Sequence, residues 1–491
     1  MNFIFDKRVI GEKRAALALF VMVLLLVIFN PFGKTTESMF LSLLLIVVST
    51  IPFFIWRRKK NRDVVVMGVF FYGFFHLVGY GFSGFISHET GILIMQNFSD
   101  TFNRYQVSES AENTAKMLVI LHLLIVFTGF AVLQIFFKNP KTEKDRKKKP
   151  KESITAYRSV VVLCVFFTAV EFFRVAGIPP FSVLGDGITF AIVSFFTYMY
   201  LFYFVFYLNY GGWVTKILAI LGCLIIRGSL LSWSQMGPYA EVGLILVLIS
   251  IQKGRIPITQ VALLLLAFIV YQPMKGAIRS MQDYGGFEFT ESVATGFEVI
   301  GDDTYLTLID IATKRIDYNL LLSSMVDNIG VVSEDDYIGW KGYENVSYVL
   351  IPRIFWRDKP QDNFGNEWAV QAGWLGRSDR FTSYNLPWLP QMYLSFGVTG
   401  IIVGSFLVAI GLFLLERYYW TITPDAWTFA MAYSIIRAII HLESDFVLAF
   451  GVAIKIILID ICIRIIKNLL IERKKNKGKF QFPAYGLEKI S

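Results

Sequence analysis

The chain has 491 residues, 55% of them hydrophobic and 17% charged, with a mean hydropathy of +0.54 and a formal charge of +9. A soluble domain is roughly a quarter charged and a little under half apolar, so neither a disordered chain nor a purely soluble enzyme fits. Apolar runs of bilayer length recur along the sequence. They are continuous rather than alternating, which excludes a porin-type barrel.

In chain order, runs near the ~20 residues that a bilayer demands fall at 14–31, 39–56, 64–80, 115–137, 157–177, 189–208, 212–230, 239–251, 257–273, 390–415, 424–441 and 446–467. The expected fold class is an all-α polytopic membrane protein with about twelve transmembrane helices. Its parts are nine spans in residues 1–273, a long loop over 274–389, and three spans with a basic tail in 390–491. The first run lacks a small-residue cleavage site and is read as a retained helix.

Basic clusters set the orientation. They are Lys13–Arg14, Arg57 to Arg62, Lys138 to Lys151, Lys253 with Arg255, and Arg473 to Lys475. Each lies before the first span or after an even number of spans. The positive-inside rule places them all, and both termini, in the cytoplasm. These charges set topology and touch anionic lipid. No basic–aromatic motif suggests a nucleic acid as partner.

The loop over 274–389 holds 17 acids and 10 bases, so the basic surplus lies elsewhere in the chain. Loops this long are usually functional. Within it, Tyr305–Ile329 has apolar residues at helical spacing and predicts amphipathic helices.

Several cations fall at the predicted outer side, against the usual bias. They are Arg174, Arg227, Arg279, Arg353, Arg357, Lys359 and Arg437. Ionisable groups in a bilayer face a partner or a polar cavity. Arg174 has a partner in reach, Glu171, three residues away on one helix face. Arg437 has Glu443 and Asp445 nearby. Arg227 and Arg279 have no obvious local acid, and snorkelling to headgroups is their alternative. Together these cations suggest an outward-facing anion site. Arginine suits phosphate because its planar fork donates two parallel hydrogen bonds.

Three cysteines, Cys164, Cys223 and Cys462, sit apart in apolar runs and suggest neither a disulfide framework nor a zinc site. The four histidines, His76, His88, His122 and His441, are scattered in sequence and suggest no metal centre. Gly79, Gly81 and Gly84 spell GxGxxG at the outer end of a span. No strand precedes them, so turn formation or close helix packing is the better reading.

The stretch Ile351-Pro352-Arg353-Ile354-Phe355-Trp356-Arg357-Asp358-Lys359-Pro360 resembles one found late in the large external loop of Wzy-type O-antigen and oligosaccharide repeat-unit polymerases. Gln391 to Gly400 resembles the segment in which an aromatic residue and a glycine open that family's next span. Arg227-Gly228-Ser229 and Lys275 to Arg279 are similar to its recurrent arginine sites. The likeness covers about residues 270–410.

The resemblance implies a GT-C-like integral-membrane glycosyltransferase in a bacterial inner membrane, working on the external face. Its substrate would be an undecaprenyl-diphosphate-linked glycan, with membrane lipid around it and a chain-length regulator as a candidate partner. No cofactor and no metal are expected. The metal-using transferases of this class carry acids in their first external loop, whereas Asn30–Ser38 offers only Glu37.

Diphosphate binding would fall to Arg227, Arg279, Arg353, Arg357, Lys359 and Arg437. Catalytic base work would fall to His441 or Glu443, with Asp445 also a candidate. The bland alternatives are a polar turn between two spans for His441–Asp445, and loop salt bridges to Asp358 and Asp362 for Arg353 and Arg357. Two other functions compete. One is a ligase that moves finished glycan to another acceptor. The other is a flippase or transporter, which would show comparable halves.

Overall fold

The computed structural model describes residues 35–58, 72–81, 107–137, 154–176, 178–179, 188–228, 237–252, 318–328, 337–349, 386–420, 426–440 and 445–479, with single residues at 69, 181, 351, 356, 358, 365 and 370. The predicted spans at 14–31 and 257–273 lie outside the described residues. Among the described residues there is no strand, and helices account for nearly everything.

The helices are α1 (Thr36–Arg58), α2 (Glu109–Phe136), α3 (Ile154–Val175), α4 (Ile188–Phe202), α5 (Trp213–Gly228), α6 (Gly237–Gln252), α7 (Tyr318–Asn328), α8 (Trp388–Trp420), α9 (Ala426–Ile440) and α10 (Phe446–Lys479). A helical turn over 72–76 tightens into a π turn, Leu77–Gly81, and α4 continues as a second one, Tyr203–Tyr207. The GxGxxG glycines therefore begin on helical backbone. α7 lies within the stretch read as amphipathic.

Among the described residues, three helices are long and apolar enough to cross a bilayer: Glu109–Phe136, Ile154–Arg174 and Trp388–Tyr418. Shorter apolar helical stretches cover Thr36–Pro52, Ser194–Tyr207 and Trp213–Ile226. α3 shows the apolar outer surface that makes such helices compatible with lipid. Val162, Leu163, Val165, Phe166, Phe172 and Phe173 are all exposed on it. α8 exposes Val398, Ile402, Val403, Phe406, Leu407, Ile410 and Leu414. Contiguous apolar surface on this scale marks a face that meets a membrane or a partner.

Contacts fix the relative directions of the helices. α1 and α2 run parallel: Lys116 bonds Ser38 near their starts, and a Cβ on Gly73 would meet both the Ser49 carbonyl and Phe127 further along. α2 and α8 also run parallel, with His122 bonded to Ser405 and Gln134 to Glu416. The 72–81 segment runs against α2, since Tyr72 meets His122 while Tyr80 reaches Tyr318 of α7, which packs on the start of α2. α9 runs against α4 and α10, with Trp427 bonded to Asp460 at its start and Arg437 over Phe195 near its end. The helices running one way (α1, α2, α4, α8, α10) coincide with even-numbered predicted spans. Those running the other way (72–81, α3, α5, α9) coincide with odd-numbered ones.

Two boundaries differ from expectation for physical reasons. α10 does not stop near 467 but continues to Lys479, because Arg473 to Lys475 are good helix formers and no proline intervenes. α8 is not one straight span. Phe396 (φ −144°, ψ 18°) and Gly397 (φ 60°, ψ −144°) leave helical geometry. The segment 388–395 folds back so that Met392 lies against Gly400 and Gly404. Only glycine adopts the Gly397 conformation without strain.

Candidate functional site

α7 packs on the start of α2, where Asp327 accepts hydrogen bonds from the Ser108 hydroxyl (2.7 Å) and backbone N–H (3.1 Å). Ser108 also caps α2 by accepting from the Ala111 N–H, the usual role of serine at this position. Thr35 bonds Glu109 at the same end. Ile338 donates its N–H to the Leu394 carbonyl at 3.1 Å. These described parts of the 274–389 segment therefore rest on the end of the bundle where α1, α2 and α8 begin. The basic residues near the end of α10 lie at the opposite end.

One corner of this end is tightly specified. Gln391, fully buried, donates from Nε2 to the Gly342 carbonyl at 2.9 Å. Its Oε1 accepts from the Phe446 backbone N–H at 2.7 Å. Around it Tyr343 meets Phe446 at 5.7 Å between ring centroids, and Trp388 meets Phe446 at 5.5 Å. Burial pushes the Tyr343 phenol up to about 12, so it is a neutral hydroxyl at physiological pH. Tyr348 packs edge-on against Trp356 at 5.5 Å, and the short helix Val346–Val349 packs on α10. The segment leading into Arg353 and Arg357 is thereby seated on α10.

Of the predicted site residues, Arg279, Arg353, Arg357, Lys359, His441 and Glu443 lie outside the described residues. The side chain of Arg227 does too, although its backbone ends α5. Arg437 is described. It lies near the end of α9 with its guanidinium carbon 5.9 Å from the Phe195 ring centroid on α4, a cation–π distance. Asp445 is buried immediately before α10. Arg174 takes the local reading: its guanidinium binds Glu171 through two hydrogen bonds of 2.9 and 2.8 Å. A bidentate pair of this kind satisfies both charges and removes Arg174 from the anion site.

Two polar clusters escaped the sequence reading. Glu112 and Lys116 form a buried ion pair at 2.7 Å, and Lys116 also donates to the Ser38 hydroxyl at 2.6 Å. The signal was an acid and a lysine four residues apart at the head of an apolar run. Deeper in, His122 bonds the Tyr72 hydroxyl at 2.6 Å and the Ser405 hydroxyl at 2.7 Å. Ser405 in turn donates to the Ile401 carbonyl. Ser405 therefore accepts from His122 Nδ1–H, and Nε2 accepts from Tyr72. His76 stacks on His122 with centroids 5.3 Å apart and bonds the Tyr72 carbonyl at 2.8 Å. The two histidines sit at similar depths in consecutive predicted spans, which could have revealed their meeting. Among the described residues no group of three or more His, Cys, Asp or Glu side chains could hold a metal ion.

Comparison with protein-family models, curated proteins and solved structures returns no match.

Proposed function

We propose that the chain polymerises lipid-diphosphate-linked oligosaccharide repeat units at the external face of a bacterial cell membrane. One observation carries most of this reading. The Ile338–Tyr348 stretch, which leads into the arginine-rich segment, is tied to the α8 half-helix and the start of α10. It lies at the end of the bundle away from the basic residues of α10. The described helix Val346–Val349, which precedes Arg353 and Arg357 in sequence, packs on the helix that follows His441–Asp445. The even–odd agreement of helix directions with the twelve-span layout supports an external position for that end. The residue pattern of 351–360 and 391–400 supports the reaction class.

In the reaction, the acceptor sugar hydroxyl forms a new bond to the anomeric carbon of the donor glycan. The anomeric carbon–oxygen bond to diphosphate breaks, and lipid diphosphate leaves with the electron pair. His441 or Glu443 takes the hydroxyl proton. Arg227, Arg279, Arg353, Arg357, Lys359 and Arg437 supply the cations. Fixed cations stabilise charge as it develops on the leaving group, at no cost of reorganisation. Arg437, set against Phe195, would serve only a phosphate that reaches α4.

Arg353→Ala and Arg357→Ala should each abolish polymer in cells while single repeat units persist on lipid. Lysine at either position should rescue poorly, since a point charge lacks the bidentate fork. Normal polymer from both alanine variants at normal protein levels would remove the assigned site.

A further inference from the structure

We infer that Gln391 is a positioning residue that holds the Gly342 stretch of the loop, the 388–395 half-helix and the head of α10 in one geometry. The inference rests on the proposed reaction for its functional consequence, but the clamp itself is a statement about structure. Gln391 joins three separate parts of the chain. Its amide donates to Gly342 in the loop and accepts from Phe446 at the head of α10, while its backbone belongs to the half-helix before the Gly397 break. It is fully buried, so water cannot replace either bond. Both partners are backbone groups. They fix the course of the chain rather than the pose of a side chain.

The break at Phe396–Gly397 explains why such a clamp is needed. The half-helix 388–395 is not carried rigidly by the long part of α8. It is held by Met392 against Gly400 and Gly404, by Leu394 accepting from Ile338, and by Gln391. Gln391 reaches α10 by a hydrogen bond to the Phe446 backbone, beside the ring contact of Trp388 with Phe446. Phe446 directly follows the 441–445 stretch in sequence, so the same hydrogen bond fixes the backbone at which that stretch enters α10. Reacting groups displaced by about 1 Å can lose roughly a hundredfold in rate. Displacing the chain where it enters α10 is expected to lower turnover more than it weakens substrate binding.

The test uses the full-length protein in lipid nanodiscs. Gln391→Met keeps the side-chain volume and removes both hydrogen bonds. Thr168→Val, which removes a half-buried hydroxyl on α3 bonded to Tyr198, is the control. Two readouts are taken. The first is the rate of polymer formation over a range of lipid-linked repeat-unit concentrations. The second is the distance distribution between spin labels on Trp340→Cys and Val452→Cys, both at exposed positions, with the native cysteines replaced.

Gln391→Met should lower kcat at least tenfold, change KM less than about threefold, and broaden the label distribution. Thr168→Val should do neither. A narrow, parent-like distribution in Gln391→Met overturns the clamp. A broadened distribution with unchanged kcat overturns its positioning role. An equal loss of kcat in Thr168→Val also overturns that role. If the parent forms no polymer but Gln391→Met still broadens the distribution, the proposed reaction fails and the clamp stands.

Discussion

Gly397 is where backbone chemistry decides most. Its φ of 60° is strained for any residue with a Cβ, and that Cβ would lie 2.8 Å from the Tyr337 hydroxyl. Gly397→Ala should cost about 1–3 kcal/mol and lower the midpoint of thermal unfolding in detergent. An unchanged midpoint would mean that the half-helix can swing away freely. His122 makes a second case. Tyr72→Phe leaves Nε2 without its donor in a dry interior, at a cost of about 1–3 kcal/mol, read by the same thermal assay. Neither residue was legible beforehand as a structural pivot. Gly397 stood in the sequence only as the glycine of a resembling segment. His122 looked isolated because Tyr72 and Ser405 lie 50 and 283 residues away.

At the scale of elements, hydropathy located helices well. α1, α2, α3, α5, α6 and α9 begin and end within a few residues of the predicted spans, except that α2 starts earlier, at Glu109. The reason for that exception is polar. Ser108 caps the helix and Asp327 from the loop holds it. A window that averages apolarity discards such residues. It also missed the α8 break, because Leu394 to Val398 is apolar throughout apart from Ser395 and Gly397.

The Glu112–Lys116 pair sets the fit of α2 on α1. Lys116→Met removes the lysine partner of a buried carboxylate and should cost about 3–5 kcal/mol. The double variant Glu112→Leu/Lys116→Met should recover most of that loss, because a buried pair can be exchanged for packed apolar groups. Thermal unfolding of the single and double variants checks this. A double variant as unstable as the single one would mean that the Ser38 contact, not the charge pair, dominates.

For the whole molecule, sequence and structure agree on a helical architecture, with no strand among the described residues and with membrane-length apolar helices. The basic end of α10 lies at the opposite end of the described helices from Gly342 and Gln391, as the charge pattern led one to expect for that cluster. The gathering of loop and helix ends was not legible, since it depends on side-chain bonds to distant backbone groups, such as Gln391 to the Gly342 carbonyl, which carry no compositional signal. The Glu171–Arg174 pair shows the reverse case: three-residue spacing on one helix gave its partner directly. The catalytic proposal therefore stands on a corner whose frame is defined by Gln391, Phe446 and Gly342.

The most direct measurement is reconstitution. Purified protein in nanodiscs is given only repeat units linked to a prenyl diphosphate, without nucleotide sugar. The account predicts a ladder of glycans differing by one repeat unit, with one lipid diphosphate released for each bond formed. Unchanged single units, or extension only after a different acceptor is added, would contradict it.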